Sequence, residues 1–194
     1  LRHLSEEEAF KTLEEAMPYK KLITAVGLDS SEMGNPPSKF QQVFAKAEAE
    51  GFLTVAHAGE EGPAEYVWEA LDLLNVSRVD HGNNSLDDEI LVQELVDRKM
   101  PLTVCPLSNL KLQVVKDLKK HPLREMLQKG LLATINSDDP AYFGGYMNDN
   151  FIAITNALNL SKEDLMKLSR NGVEASFLKS EEKEILYVQL DEYL

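Results

Sequence analysis

The sequence predicts an α/β protein in which parallel strands alternate with helices. Five short apolar runs begin near positions 22, 53, 77, 102 and 131, and runs of this length are typical of buried parallel strands. A helical segment follows each run, and this alternation favours a sheet that is covered by helices. Several runs also end in histidine or carboxylate residues, at the strand ends beyond which such sheets bind ligands.

Two sheet architectures are compatible with the length of the chain. An open doubly wound sheet and part of an eight-stranded (β/α)8 barrel both suit about five βα units with short connections. A complete barrel typically needs about 250 residues, whereas this chain has 194. If the architecture is a barrel, three leading units are missing. In either case residues 1–194 are expected to form a single domain.

The helices are predicted from their caps and from apolar spacing. The first follows a capping box from Ser5 to Glu8 and ends at Pro18. The second begins at Ser38 and ends before Gly51, a typical residue after a helix. The remaining helices are predicted after positions 63 and 85, over 122–128 and, as additional carboxyl-terminal helices, over 150–158, 161–170 and 180–193.

Composition and charge restrict the classes of partner. The formal net charge is −13, and because nucleic acids and anionic membranes are bound through lysine and arginine, neither is an expected partner. The chain has one cysteine, Cys105, which excludes an intramolecular disulfide and fits a reducing, cytoplasmic location. A single cysteine also excludes a CxxC zinc site. Small molecules or other subunits are the expected partners.

Three strand ends carry residues suited to metal binding and proton transfer. His57 and Glu60 follow the run that begins at position 53, His81 follows the next run, and Asp138 and Asp139 follow the run that begins at position 131. Imidazoles and carboxylates are ligands suited to zinc, and a catalytic zinc keeps one position for water. The remaining groups could act as acid, base and substrate anchor. These five residues form the candidate site.

Each of these residues also has a plain structural interpretation. His57 could be an ordinary polar strand end, and His81 could belong to a helix-entry turn. The two aspartates precede a proline, where aspartate is a favoured turn residue. Other polar or aromatic residues are expected to be structural: Trp68 packs, 87–89 begin a helix, Cys105 lies in the core, and His3 and His121 are surface or capping residues.

Four motifs, in this order and spacing, resemble the second half of the adenosine deaminase family, metal-dependent (β/α)8 barrels of the amidohydrolase group. The motifs are TVAHAGE at 54–60, RVDHG at 78–82, VCPLSN at 104–109 and NSDDP at 136–140. VGLDSSE at 26–32, PPSKF at 36–40 and AYFGGY at 141–146 are similar to the adenine deaminase branch. The resemblance implies the C-terminal part of such a barrel, about five βα units with extra C-terminal helices.

The resemblance also implies a reaction and a role for each candidate residue. The reaction is zinc-dependent hydrolysis of adenine to hypoxanthine and ammonia, a step of purine salvage with a small-molecule purine as substrate. His57 and Asp138 would bind one zinc ion. Glu60 would protonate the purine ring at N1, and His81 would orient and deprotonate the attacking water. Asp139 would hydrogen-bond the ring near N7.

A second group of residues is implied in the choice of substrate. Ser30, Ser31 and Glu32 would lie at the far edge of the base, where adenine has a ring N–H and adenosine has a ribose. Adenosine-acting members typically have a Gly-containing segment at this place. A carboxylate there could accept the N–H and obstruct a sugar. The loops at 30–38 and 142–148 are candidates for a lid.

The chain departs from the family pattern at the metal site. The first strand of these enzymes supplies a His-x-His pair, and this sequence contains none. Two ligands are fewer than the three that a catalytic zinc usually takes from protein. The isolated polypeptide is therefore expected to bind zinc weakly and to turn over little or no adenine. Open sheet edges would favour association of copies. Adenosine deamination and a non-catalytic remnant acting as an interaction module are the alternative functions.

Overall fold

This computed structural model describes residues 1–193, which divide into two units, Leu1–Leu91 and the residues from Val92 onward. Both units alternate strands with helices, as the sequence predicts. The single domain expected over 1–194 stays a prediction. Among the described residues, no helix is long and apolar enough to cross a lipid bilayer.

In the first unit the described strands are β1 (Ala25–Leu28), β2 (Leu53–Ala58) and β3 (Arg78–His81). The strand β2 pairs in parallel with both of the others. Its register with β3 places His57 opposite Asp80 and Ala58 opposite His81. Because the strands are parallel, their carboxyl ends meet at one edge of the sheet. This register brings the two strand-end histidines of the candidate site close together.

Helices α1 (Glu6–Ala16), α2 (Gln41–Ala49) and α3 (Ala64–Asp72) belong to the first unit, and α4 (Glu89–Asp97) begins in it. Ser5 caps α1 as predicted, because its hydroxyl accepts the amide N–H of Glu8 at 3.4 Å. The second half of the predicted capping box is replaced, since the Glu8 carboxylate bonds the Lys11 ammonium at 2.5 Å. Gly51 follows α2 with a φ of 84°, as expected of a glycine after a helix.

The acidic run at 87–89 begins α4, as the sequence predicts. One carboxylate oxygen of Asp88 accepts the amide N–H groups of Ile90 at 2.8 Å and Leu91 at 3.2 Å. The other oxygen accepts the indole N–H of Trp68 at 2.9 Å. The bond from Trp68, followed by those from the backbone, lowers the pKa of Asp88. Trp68 therefore joins α3 to the start of α4 by a polar contact that helical spacing does not reveal.

In the second unit the described strands are β4 (Pro101–Val104) and β5 (Leu132–Ile135), which pair in parallel. Ser161 caps α9, where it forms a capping box with Asp164. The helices of this unit, after α4, are α5 (Pro106–Lys111), α6 (Leu123–Gln128), α7 (Pro140–Phe143), α8 (Met147–Leu158), α9 (Lys162–Glu174) and α10 (Ser180–Asp191).

Each unit buries the apolar residues that the strand and helix patterns single out. In the first unit Ala56 of β2 and Val67 of α3 are fully buried. In the second unit Leu102 of β4 and Ala133 of β5 are fully buried, and α9 packs on β5. The side chain of Asn171 in α9 donates to the Ala133 carbonyl at 2.8 Å, so this helix is also tied to the strand by a buried hydrogen bond.

Three local features differ from the sequence-based expectation. Residues 17–22 form a 3-10 helix that includes Pro18, so β1 begins at Ala25 rather than near position 22. The helices α5 and α7 have no counterpart among the predicted helices. Both begin at a proline and span 6 and 4 residues, which is too short for apolar periodicity to identify.

Candidate active site

The turn after β2 delivers His57 and Glu60. Glu60 is buried, and His57 is partly buried. The turn requires a glycine between them, because Gly59 has a φ of 70° and a Cβ there would lie 2.8 Å from a methyl carbon of Val67. The motif thus places an imidazole and a carboxylate within four residues while the backbone reverses into α3.

The end of β3 holds His81 in an unusual backbone conformation. Its φ is 67°, and Gly82 follows with a φ of 74°. A left-handed conformation costs a residue with a side chain about 1–2 kcal/mol, and such residues cluster at functional sites. Ser30 and Asp138, two further candidate residues, also have positive φ values of 83° and 55°. Three strand-end positions of the candidate site are therefore held in strained backbone.

The histidines and the carboxylate of the first unit meet at the sheet edge. His81 Nδ1 lies 3.3 Å from Glu60 Oε1, and the rings of His57 and His81 have centroids 4.7 Å apart. His57 Nδ1 lies 3.7 Å from Asp80 Oδ2. The parallel register of β2 and β3 places these residues side by side. The structure thus brings together His57, Glu60 and His81, as the sequence predicts for the candidate site.

Burial keeps His81 neutral at physiological pH. Its side chain is 2% exposed, and removal from water lowers its pKa to about 3. The neighbouring His57 acts in the same direction, and Asp80 opposes it. A neutral imidazole has a free electron pair, so it can accept a proton from a water molecule or a substrate. Burial therefore leaves His81 as a neutral imidazole at this edge.

Asp80 belongs to this cluster although the sequence analysis does not place it there. Its Oδ1 also lies 3.4 Å from Arg78 Nε, so the carboxylate is shared between an arginine and His57. The available signal is its position immediately before His81 in RVDHG. The strand register, which the sequence does not specify, is what places Asp80 beside His57 rather than in solvent.

Glu32, predicted at the far edge of the base, contacts the turn after β2. Its side chain is buried, and both oxygens face the backbone of the turn after β2. Oε1 accepts the amide N–H of Gly59 at 2.6 Å, and Oε2 accepts those of Glu60 at 3.0 Å and Glu61 at 2.8 Å. A carboxylate with three backbone donors is already well satisfied. These contacts connect Glu32 to the turn, and its predicted place at the edge of a substrate stays a prediction.

Ser30 and Ser31, the other predicted substrate residues, are exposed. The hydroxyl of Ser30 lies 2.9 Å from His3 Nδ1. The Ser31 carbonyl accepts the side-chain N–H of Asn35 at 3.1 Å, within the loop that follows β1. Their hydroxyl groups are therefore at a surface where a small molecule has access.

Arg2 is a buried charged residue near the site that the sequence analysis does not single out. Its side chain is fully buried, and Nη1 donates to the His57 carbonyl at 2.7 Å. Nε and Nη2 donate to the Asn35 carbonyl at 2.9 and 2.6 Å. Burial lowers the pKa of Arg2, and the nearby Glu32 acts against this change. Nothing in the local sequence distinguishes this arginine from an ordinary surface cation.

In the second unit, Asp138 follows β5 and is exposed. Its Oδ2 accepts the hydroxyl of Ser108 at 2.7 Å, and Ser108 is fully buried in α5. Neighbouring hydrogen bonds of this kind orient the carboxylate ligands of metal ions. Ser108 lies in the VCPLSN motif, but its contact with Asp138 depends on the turn into α5.

Asp139 caps the short helix α7. Its Oδ1 accepts the amide N–H groups of Ala141 at 3.1 Å and Tyr142 at 3.2 Å. This is the turn role that the sequence leaves open for the aspartates before Pro140. The predicted contact between Asp139 and a purine stays a prediction.

His121 is buried rather than on the surface. Its Nδ1 accepts the amide N–H of Leu123 at 3.2 Å, which confirms a capping role at the start of α6. Nε2 lies 3.3 Å from Asn109 Oδ1. Burial lowers the pKa of His121 to about 4. Cys105 is buried, directly after β4, as expected of a core residue.

The candidate metal ligands of this chain, an imidazole and a carboxylate, are of types that zinc prefers. His57 Nδ1 is buried and faces the Asp80 carboxylate at 3.7 Å, but within residues 1–193 no group lies close enough to hydrogen-bond it. A buried imidazole nitrogen without such a partner suits metal coordination, and an oriented carboxylate such as that of Asp138 is a second suitable ligand. Two residues are nevertheless fewer than a catalytic zinc usually takes from protein.

Parallel βα units with histidines and acids at their strand ends define a class, the α/β enzymes whose active sites lie at the carboxyl ends of the strands. The family model for adenosine deaminase matches residues 1–193. The chain therefore belongs to the adenosine deaminase family, and the predicted fold class, the C-terminal part of a (β/α)8 barrel, is confirmed.

Individual relatives give the same result. An adenine deaminase from Acinetobacter baylyi is 68% identical over 95% of this chain and 55% of its own length. The crystal structure of adenine deaminase from Arthrobacter aurescens superposes with a TM-score of 0.96 at 46% identity, covering 99% of this chain and 59% of that one. A Burkholderia ambifaria amidohydrolase structure with bound Zn has a TM-score of 0.92 at 27% identity, covering 99% and 54%. The chain thus spans little more than half the length of these relatives.

Proposed function

We propose that the protein containing this chain hydrolyses adenine to hypoxanthine and ammonia, as a cytoplasmic enzyme of purine salvage. The observation that carries the reaction type is the cluster of His57, Glu60 and His81, with an imidazole of His81 that burial keeps neutral. The identity of 68% to an adenine deaminase supports adenine as the substrate.

Zinc, held by His57 and Asp138 together with ligands from outside this chain, would supply a water molecule acidified enough to attack at neutral pH. His81, whose imidazole burial keeps neutral, would accept the proton of that water. Glu60 donates a proton to N1 of the purine, which makes C6 electrophilic. Attack at C6 would give a tetrahedral carbon that bears a hydroxyl and an amine. His81 would then return its proton to the amine, which leaves as ammonia, while the hydroxyl proton restores Glu60 as the C6 carbonyl of hypoxanthine forms. Asp139 hydrogen-bonds the ring near N7.

Substrate choice is assigned to the loop after β1. Ser30 and Ser31 present exposed hydroxyl groups that suit the polar edge of a base. Glu32 is assigned a different role from the one that the resemblance implies, because its oxygens already accept three backbone amides.

The test uses the purified full-length protein with adenine and adenosine as separate substrates. Hypoxanthine and inosine are separated by chromatography, and ammonia is measured in parallel. Adenine deamination at a much higher kcat/KM than adenosine deamination is the expected result. The reverse preference would replace the proposal with adenosine deamination. No product from either substrate, in a preparation that contains zinc, would favour a non-catalytic interaction module.

A variant of Glu60 tests whether the measured adenine turnover comes from the proposed site or from a contaminating enzyme. Glu60→Gln keeps the size of the side chain but removes the proton, so adenine turnover should fall by about a hundred-fold or more. Turnover unchanged in this variant would mean that another protein in the preparation, or another site, performs the reaction. Glu163, an exposed residue of α9, offers the control substitution Glu163→Gln, which should leave turnover as it is.

A further inference from the structure

We propose that Arg2 and Glu32 are positioning residues, a buried cation and a buried anion that together hold the backbone turn from His57 to Glu61. The inference rests on the proposed function, because the turn matters for the reaction through His57 and Glu60. Neither charge contributes to the chemistry itself. Both act on the backbone that carries the reacting groups.

The carboxylate of Glu32 holds the turn by accepting hydrogen bonds from backbone amide groups of the turn. The N–H groups of three consecutive residues, Gly59, Glu60 and Glu61, point to one carboxylate at 2.6, 3.0 and 2.8 Å. Consecutive N–H groups can converge in this way only when the backbone curls around the anion. The positive φ of Gly59 supplies that curl. The conformation of the turn and the position of the carboxylate therefore depend on each other.

The local packing leaves room for this carboxylate and for little else. A Cβ on Gly62 would lie 2.7 Å from Glu32 Oε1 and 2.6 Å from a ring carbon of Tyr66. The glycine just after the turn thus allows the carboxylate to approach. Glu32 itself is 2% exposed, so water cannot substitute for it.

Arg2 holds the same turn through a carbonyl group. Nη1 donates to the His57 carbonyl at 2.7 Å, while Nε and Nη2 donate to the Asn35 carbonyl. The amide N–H of Asn35 in turn donates to the Glu32 carbonyl at 3.0 Å. Arg2 therefore contacts the beginning of the turn, at His57, and Glu32 contacts its end, at 59–61. Asn35 connects Arg2 to the loop that carries Glu32.

The pattern of partners favours a positioning role over a purely stabilising one. Two buried charges are costly to remove from water, and well-packed apolar residues often stabilise a protein as well or better. In this case the hydrogen bonds that Glu32 accepts, and the bond that Arg2 Nη1 donates, involve the backbone of the segment that carries His57 and Glu60. The charges fix the location of two reacting side chains with a precision that apolar packing would not give.

The main variant is Glu32→Gln in the full-length protein, with Glu6→Gln as the matched control. Glutamine has one carbonyl oxygen in place of two, and its NH2 group would face an amide N–H. Glu6 also accepts two backbone amides, those of Gln42 and Val43 at 2.7 and 3.0 Å, but at the start of α2. Both substitutions remove a carboxylate that binds backbone, and they differ in which backbone is released.

Amide hydrogen exchange and steady-state kinetics are the two measurements. In Glu32→Gln, exchange at 59–61 should rise by about ten-fold or more. With adenine, kcat should fall by about ten- to a hundred-fold, with KM changed much less. In Glu6→Gln, exchange at 59–61 and kcat should match the wild type. Arg2→Lys, which retains the charge but not the planar set of donors, should change kcat in the same direction as Glu32→Gln.

The outcomes separate this inference from the proposed function. Unchanged exchange at 59–61 in Glu32→Gln overturns the inference, whatever the activity. Raised exchange with unchanged kcat also overturns it, because the turn would then not position the reacting groups. A wild type that does not deaminate adenine overturns the proposed function, and the exchange data still decide whether the carboxylate holds the turn.

Two further results guard against misinterpretation. If the variants do not fold, amide exchange in the wild-type protein tests the inference. Fast exchange at Gly59, Glu60 and Glu61 would contradict the hydrogen bonds to Glu32 and overturn the inference. A changed ratio of adenine to adenosine turnover in Glu32→Gln, with normal exchange, would instead assign Glu32 to substrate choice and overturn the positioning role.

Discussion

The imidazole of His81 lies 3.3 Å from the carboxylate of Glu60, and the two residues come from the ends of neighbouring parallel strands. An imidazole and a carboxyl group are thereby placed at one edge of the sheet. Because burial lowers the pKa of His81 to about 3, the imidazole is neutral at near-neutral pH. In the proposed reaction His81 accepts a proton and Glu60 donates one.

Replacement of His81 tests the base. His81→Gln should reduce kcat for adenine by about 10² to 10⁴-fold, since glutamine cannot accept the proton of the attacking water. Circular dichroism should show that the variant remains folded. Retention of more than half of the wild-type rate in a folded variant would remove His81 from the mechanism.

Replacement of Ser108 tests the orientation of Asp138. Ser108→Ala removes the hydroxyl that donates to Asp138 Oδ2 at 2.7 Å. The affinity for zinc should fall by about ten- to a hundred-fold, measured in the full-length protein by competition with a chelator. Ser169→Ala is the matched control, because that hydroxyl donates to a carbonyl within α9 at 2.9 Å. Equal zinc affinity in the two variants would mean that Ser108 does not orient a metal ligand.

Substitution of Gly62 and of Gly172 by alanine should have opposite effects on the free energy of unfolding. In Gly62→Ala the new methyl group would meet Glu32 and Tyr66 at less than 3 Å, and the free energy of unfolding should fall by about 1–3 kcal/mol. In Gly172→Ala the methyl group meets nothing within 4 Å in α9, so unfolding should cost up to about 1 kcal/mol more. Denaturant titrations measure both. A Gly62→Ala variant as stable as the wild type would contradict the close packing around Glu32.

Buried His121 should make stability depend on pH. Its pKa is lowered to about 4 in the folded state, whereas an unfolded histidine has a pKa of about 6.5. Between these values the unfolded chain binds a proton that the folded chain does not, so stability is lost as the pH falls from about 6.5 towards 4.

The variant His121→Gln isolates this effect. Because the variant cannot take up that proton, its stability deficit relative to the wild type should shrink by about 2 kcal/mol between pH 7 and pH 5. Denaturant unfolding at both pH values gives the difference. A deficit that is constant between pH 7 and pH 5 would mean that His121 is protonated equally in the folded and unfolded chains.

The sequence predicts the approximate positions of the five strands and of most helices. It can do so because apolar spacing and capping residues such as Ser5 and Ser161 are local signals. It does not predict α5 and α7, which are short and begin at prolines. Of the candidate site, the motifs identify His57, Glu60 and His81 as neighbours. They do not reveal that Glu32 accepts three backbone amides of the turn after β2.

The sequence by itself determined which chemical groups stand at the strand ends, because each motif couples an apolar run to a histidine or an acid over a few residues. Only the tertiary structure decided how these groups are held. The strand register sets Asp80 beside His57, and burial makes His81 neutral. Arg2 and Glu32, distant in sequence from the turn that they bind, reach it through the packing of the chain. Such contacts depend on distances in space, which local sequence patterns do not contain.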